Sequence, residues 1–126
     1  MDTISFEDFQ KVDIRIGTVI EASVPAWSHW VIKLVVDFGL EIGKKTVFAG
    51  MMKFYKPEDF ISKQFPFVVN IEPKKIGPEG DYSEAMLLAA SVPAESGKEE
   101  GLVPGGDEEP SLLNLSKSVP NGTKVR

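Results

Sequence analysis

The sequence contains no cysteine and one histidine, His29. Disulfides, thiolate nucleophiles and metal sites built on cysteine are therefore excluded. No H-E-x-x-H spacing, G-x-S-x-G elbow, G-x-G-x-x-G or Walker A glycine loop occurs. Catalysis needs a nucleophile, a base and an orienting group within mutual reach. The lone histidine sits in Trp27-Ser28-His29-Trp30 and reads as a loop contact rather than a general base. The acidic run Asp107-Glu108-Glu109 beside Gly105-Gly106 reads as a solvated loop, not a cation site. An enzyme, a resident metal and a cofactor all lack support. No apolar run reaches about eighteen residues, so no transmembrane helix is expected. Met1 to Asp8 has neither a basic nor an apolar signal region, so the cytoplasm is the expected compartment. The sequons at Asn114 and Asn121 then have no glycosylation to serve.

What is present is the composition of one folded domain. The 126 residues are 42% hydrophobic and 26% charged, and one core of ordinary size suits residues 1–126 as a single unit. The net charge of −5 argues at first against nucleic acid. Its distribution matters more than its sum. Residues 33–75 hold eight lysines against five acids, a net of +3, while residues 94–126 carry a net of −2. A locally basic stripe on an acidic protein is one reading; scattered surface lysines are the other.

Periodicity predicts an all-β chain. Val12, Ile14 and Ile16 alternate with Asp13 and Arg15, and the apolar phase shifts after Gly17 to Val19 and Ile20, predicting a bulged first strand. Ile32, Leu34, Val36 and Phe38 predict the second strand, and residues 45–50 the third. Pro57-Glu58-Asp59-Phe60 predicts a short helix, with proline at its first position and acids at its positive end. Residues 65–71 predict a fourth strand, with Pro66 at its start or on an edge. Residues 77–81 read as a turn and 85–90 as a fifth strand. Beyond Ser91 glycine and proline break any long element, with Leu112, Leu113 and Leu115 expected in a short strand packed back on the barrel and a turn at residues 119–122. The pattern is a five-stranded OB-fold Greek-key barrel with one short helix between strands 3 and 4 and a C-terminal extension.

Binding chemistry is better represented than catalysis. Trp27 and Trp30 precede strand 2, where rings can either stack on bases or cap the core. Lys53-Phe54-Tyr55-Lys56 interleaves cations with aromatics, and Lys74-Lys75 follows Pro73, where phosphate contact is expected. Ile4, Phe6 and Phe9 form an apolar cluster that either packs on the barrel or covers a second copy of the chain.

These segments together resemble the tRNA-binding domain that is appended to methionyl-tRNA synthetases and occurs in synthetase cofactors and free-standing bacterial proteins. The likeness runs through Ile4-Ser5-Phe6-Glu7-Asp8-Phe9 and Lys11 to Gly17, then Ile32-Lys33-Leu34 with Val36 to Gly39. It continues through Ala49-Gly50 and Tyr55 to Asp59, and is most distinctive in residues 68–76 and 83–90. It ends in Val119 to Val125. The resemblance implies an OB fold, no catalysis, structure-selective tRNA binding and a homodimer. It places the RNA surface at Asn70, Ser83, Glu84 and Met86, with Lys33, Lys53, Lys74 and Lys75 as neighbouring cations. Glu84 suits orientation of a lysine or a backbone amide better than contact with phosphate. Where many members carry a Ser-Lys-Lys-type stretch before strand 2, this chain has Ser28-His29-Trp30; Ala85 replaces a usual glycine, and the loop from Gly77 to Tyr82 looks long.

Asp37 to Lys45 is similar instead to CsaA-type proteins, which share the fold and dimer and are regarded as export-related chaperones for unfolded polypeptides. Trp27, His29 and Trp30 would then contact peptide rather than a base. In the RNA class an aminoacyl-tRNA synthetase is a further possible partner, with this chain as the free-standing subunit of a split enzyme. Ile4, Phe6 and Phe9 are the expected dimer contact, and no membrane partner is expected.

Overall fold

The computed structural model describes residues 1–93 and 108–126. Asp107, read above as part of an acidic loop, and the glycines and prolines between residues 97 and 106 lie outside them, as does the side chain of Glu108.

A long first strand, β1 (Ile14–Ser23), is the spine. It pairs antiparallel with β2 (Ile32–Asp37), which pairs with β3 (Lys44–Ala49). On its other side β1 pairs with β4 (Gln64–Val68), whose far edge receives the two-residue β7 (Met86–Leu87). The order β3-β2-β1-β4-β7 is that of a nearly closed five-stranded barrel. Between β4 and β7 stands a hairpin of β5 (Lys74–Ile76) and β6 (Asp81–Ser83). A second hairpin joins β8 (Ala89–Pro93) to β9 (Glu108–Leu112), and the terminal β10 (Lys124–Val125) pairs with the start of β1.

The apolar alternation read from the sequence is the burial pattern. In β2, Ile32, Leu34 and Val36 are buried while Lys33, Val35 and Asp37 are half-exposed. They meet Val19, Val47, Phe60, Phe65 and Phe67 in one core. Phe38 stands edge-on to Phe67 at 5.2 Å, and Phe60 lies between Tyr55 and Phe65 at 5.9 and 5.8 Å. Each phenylalanine buried this completely contributes about 1.5–3 kcal/mol. Pro57–Asp59 forms a single 3-10 turn, whose N-terminus Asp59 caps by accepting from the Lys56 amide at 2.8 Å.

Four local expectations are revised, among them Pro66, which stands in the middle of β4 between β1 and β7 rather than at a strand start or edge. The register shift in β1 falls between Val19 and Glu21, not at Gly17. Gly17 has a different role: a Cβ there would stand 2.5 Å from Val36 Cγ1 and 2.7 Å from the Phe38 ring, so its small size permits close strand packing. The predicted fifth strand is split into β7 and β8 at Leu88, whose amide donates in register to Pro66 O at 3.1 Å while Pro66 has no N–H to return the bond. Pro66 tolerates its place inside β4 because Ile16, its partner across β1, bonds instead to Thr123 and Gly122. No ladder bond from Pro66 to β1 is needed there. Finally, the N-terminal apolar cluster is carried by a one-turn helix, α1 (Phe6–Phe9), capped by Ser5 Oγ accepting from Asp8 N at 3.0 Å. Among the described residues no helix is long and apolar enough to cross a membrane.

Candidate nucleic-acid interface

The free edge of β3 is the natural weak point of the barrel, since an unpaired strand edge exposes N–H and C=O groups. Residues 83–85 close it. Ser83 Oγ accepts from Phe48 N at 3.0 Å and donates to Ala85 O at 3.2 Å. Glu84 Oε1 accepts from Thr46 N at 2.9 Å, and its own amide donates to Thr46 O at 2.8 Å. Two residues that the resemblance assigns to RNA are thus used as side-chain staples between β3 and the strand leading into β7. Glu84 also has its second oxygen 4.0 Å from Lys45 Nζ.

The staples fix the β5–β6 hairpin beside the outer face of β2 and β3. Ile76 pairs with Asp81, Lys75 with Tyr82 and Lys74 with Ser83. Alternation puts Lys75 and Tyr82 on one face of the hairpin, opposite to the face of Ser83 and Asp81. Lys74 and Lys75 are exposed, and Tyr82 is 53% exposed. Tyr82 was not singled out in the sequence; its signal, an aromatic in a polar hairpin with a lysine at the cross-strand position, needed the register to be visible. On the other face Asp81 lies 4.0 Å from Lys33 Nζ, so one cation of the candidate site is held by an acid of the hairpin.

The hairpin also rests on the tryptophan loop. Gly77 has φ of 75°, and a Cβ on it would come within 2.4 Å of the Trp27 ring, so the chain turns directly over the indole. Trp27 is half-buried, edge-on to Trp30 at 5.9 Å and tilted against Phe48 at 6.2 Å. Its indole N–H is buried and has no hydrogen-bond partner among the described residues, which suits a packing role. Ser28 is buried and ties the loop, accepting from Val31 N at 2.8 Å and Trp30 N at 3.2 Å. Trp30, 54% exposed, and His29 remain accessible.

The other sequence candidates are more dispersed. Asn70 is exposed but engaged at both ends of its amide, accepting from Asp13 N at 2.9 Å and donating to Lys11 O at 2.6 Å. It clips the N-terminal segment to the end of β4. Met86, opposite Val68, is exposed. Lys53 Nζ lies 5.7 Å above the Phe54 ring, just beyond Met52, whose amide donates to Trp30 O at 3.2 Å. The structure thus brings Lys33, Ser83, Glu84, Trp27 and Trp30 around one sheet face, with Lys74 and Lys75 on the covering hairpin. It joins Asn70 to the N-terminal segment instead.

That segment forms a separate surface. Ile4, Phe6, Phe9 and Val12 are all exposed, Phe6 at 73%. A cleft of about 200 Å³ runs between α1 and β10, lined by Phe6, Phe9, Gln10, Val12, Val125 and their neighbours. Behind it Arg15 forms an anchor, with Nε 2.7 Å from Asp13 and Nη1 3.1 Å from both Glu41 and Gly122 O. The hydrogen bond to Asp13 raises the guanidinium pKa above its usual value, with help from Glu41. Among the described residues no cluster of histidine and acids could hold a metal.

A family model described as "Putative tRNA binding domain" matches residues 14–124. The methionine–tRNA ligase of Pyrococcus horikoshii is 37% identical over 126 residues, all of this chain but 15% of the ligase. The chain therefore spans about a seventh of the length of that relative. A crystal structure of the chaperone CsaA from Bacillus anthracis is 36% identical with a TM-score of 0.77, covering 99% of this chain and 100% of the other. A methionyl-tRNA-synthetase-related protein from Pyrococcus horikoshii is 31% identical with a TM-score of 0.79, and both chains are covered completely. The chain belongs to the tRNA-binding domain family.

Proposed function

We propose that this chain is a non-catalytic, cytoplasmic module that binds structured tRNA and acts as a homodimer. The observation that carries the reading is the β5–β6 hairpin. It presents Lys75 and Tyr82 on one face and the exposed Lys74 on the other, across from Ser83, beside the sheet face that holds Lys33 and Trp30. Lysines supply the sequence-independent attraction to phosphate, and exposed rings supply stacking of about 1–3 kcal/mol per base. Ser83, Glu84 and Asn70 act by positioning: the first two set the hairpin, the third sets the N-terminal segment. Met86 offers a soft apolar contact beside them. Fluorescence anisotropy of labelled tRNA tests the reading. Saturable binding that weakens steeply with salt supports it, and no binding at low salt overturns it.

The homodimer reading rests on the uncovered apolar side chains of Ile4, Phe6 and Phe9 and the free outer edge of β10. No described residue covers that cleft, and a two-fold related copy would bury the same patch on both sides.

A second reading has one specific observation in its favour. Trp30 is exposed beside Trp27 and Phe48, an aromatic surface that suits an apolar peptide. A CsaA-like chaperone would hold unfolded polypeptide there with little salt dependence. Suppression of a client's aggregation, lost in Trp30→Ala, would favour it over tRNA. Association with an aminoacyl-tRNA synthetase is compatible with the first reading only.

A further inference from the structure

Ser62 is the one non-glycine residue with positive φ among the described residues, at 65°. Such a conformation is unfavourable for a residue with a Cβ and persists only where its surroundings impose it. Here β1 imposes it: Ser62 N donates to Val19 O at 2.7 Å, and Lys63 O accepts from Val19 N at 3.0 Å. Ser62 and Lys63 form one wall of an open groove of about 270 Å³, and Asn114, Lys117 and Ser118 from the chain after β9 form the other. Gln64 at its base is fully committed. Its Nε2 donates to Val119 O at 2.7 Å, and its Oε1 accepts from Val119 N at 3.0 Å. The two walls are therefore fixed to each other before any ligand arrives.

The side chains of Ser62, Lys63, Asn114, Lys117 and Ser118 make no hydrogen bond or ion pair among the described residues, and no acid lines the groove. Two ammonium groups, two hydroxyls and an amide without a carboxylate form a donor-rich site of the kind that recognises phosphate. An adjoining groove of about 410 Å³ shares Lys63 and Asn114 and leads past Asp59, whose carboxylate accepts from the Lys56 amide, to Phe54 and Tyr55. A ligand anchored by its phosphate would extend along it towards the exposed Phe54 ring. We propose that this trough binds the phosphate of a nucleotide, either free or as one residue of an RNA chain. None of the residues that would hold the phosphate belongs to the interface described above, so the inference stands apart from the tRNA reading.

Inorganic phosphate and AMP are titrated separately into 15N-labelled protein. Saturable amide shifts confined to residues 62–64 and 114–118 are expected from both. The double variant Lys63→Ala with Lys117→Ala should weaken them about tenfold, as removal of two charge-assisted bonds at an exposed site implies. Lys63→Arg with Lys117→Arg should retain them. Both lysines are exposed, and unchanged dispersion elsewhere in the spectrum verifies folding. A tRNA titration that shifts the same amides assigns the phosphate to RNA; AMP shifts without tRNA shifts assign it to a free nucleotide. Absence of saturable shifts with both small probes, or undiminished shifts in the double alanine variant, overturns the proposal.

Discussion

Replacing Ser83 with alanine separates a staple from an RNA contact. The hydroxyl accepts from Phe48 N at 3.0 Å and donates to Ala85 O at 3.2 Å, in a half-buried position. Its removal leaves a backbone N–H and a carbonyl without those partners at the closing edge of the barrel. Stranding buried groups of this kind costs about 1–3 kcal/mol. For a domain of this size 1 kcal/mol moves Tm by roughly 3–6 °C, so a fall of about 3–18 °C is expected. The ladders of β1 with β2 and β4 are untouched, so the variant still folds. Ser83→Thr keeps the hydroxyl and should recover most of the stability. Thermal unfolding by circular dichroism at one fixed protein concentration reads the first effect, since dimerisation would make Tm concentration-dependent. Anisotropy with labelled tRNA, well below the lowered Tm, reads the second; a change of less than about threefold, under 1 kcal/mol, is expected. An unchanged Tm with a tenfold drop in tRNA affinity would refute the staple and make Ser83 a direct contact.

Four further outcomes are expected. Lys74→Ala with Lys75→Ala should weaken binding to all tRNAs alike and flatten the salt dependence by about 0.7–0.9 for each phosphate that is no longer neutralised; an unchanged slope moves the RNA surface elsewhere. Asp81→Asn frees Lys33 from its acid and should raise tRNA affinity by about two- to fivefold, within the 0–1 kcal/mol of a surface pair. A lowered affinity would instead mean that the pair is needed to seat the hairpin. Phe6→Ser with Phe9→Ser should give a monomer by light scattering, and a retained dimer mass would place the interface away from α1. Gly77→Ala meets both a positive φ and the Trp27 ring, and should lower stability by about 2–4 kcal/mol with a changed tryptophan emission; an unaltered Tm would show that the hairpin is not held on the indole.

The barrel was legible because period-two alternation in residues 32–38 is imposed by a core with a single buried face, while β4 reads as a short apolar run with Phe65, Pro66 and Phe67 all buried. The bulge was placed too early because a phase shift and a glycine coincide in the sequence for unrelated reasons. The shift belongs to the register at Ile20, and Gly17 answers to the Phe38 ring. The helix at Phe6–Phe9 was missed because one capped turn with no buried residue carries no period. Identities at the site were legible as chemistry but not as geometry. Ser83, Glu84 and Asn70 are hydrogen-bonding residues in any reading, and only the closure between β3 and residues 83–85 and the clip of Asn70 onto Lys11 and Asp13 show that their bonds are spent inside the chain. Tyr82 went unnoticed for the converse reason, since its position opposite Lys75 depends on a register that four turn residues conceal.

The same closure bears on the choice between RNA and polypeptide. An extended peptide gains most of its affinity by adding to an unpaired strand edge, where backbone donors and acceptors are free. On the outer edge of β3 the amides of Thr46 and Phe48 already donate to Glu84 and Ser83, and Thr46 O accepts from the Glu84 amide. A peptide strand would have to evict both staples, giving up charge-assisted and half-buried bonds to form ordinary ones. At this face polypeptide is therefore limited to side-chain contact with Trp30 and its neighbours. RNA needs no free edge. Phosphates and bases are met by ammonium groups and rings that project from a fixed frame, as Lys74, Lys75 and Tyr82 do. The features that close this barrel against strand addition are the ones that hold its cationic hairpin outward, and this favours nucleic acid as the ligand of that face.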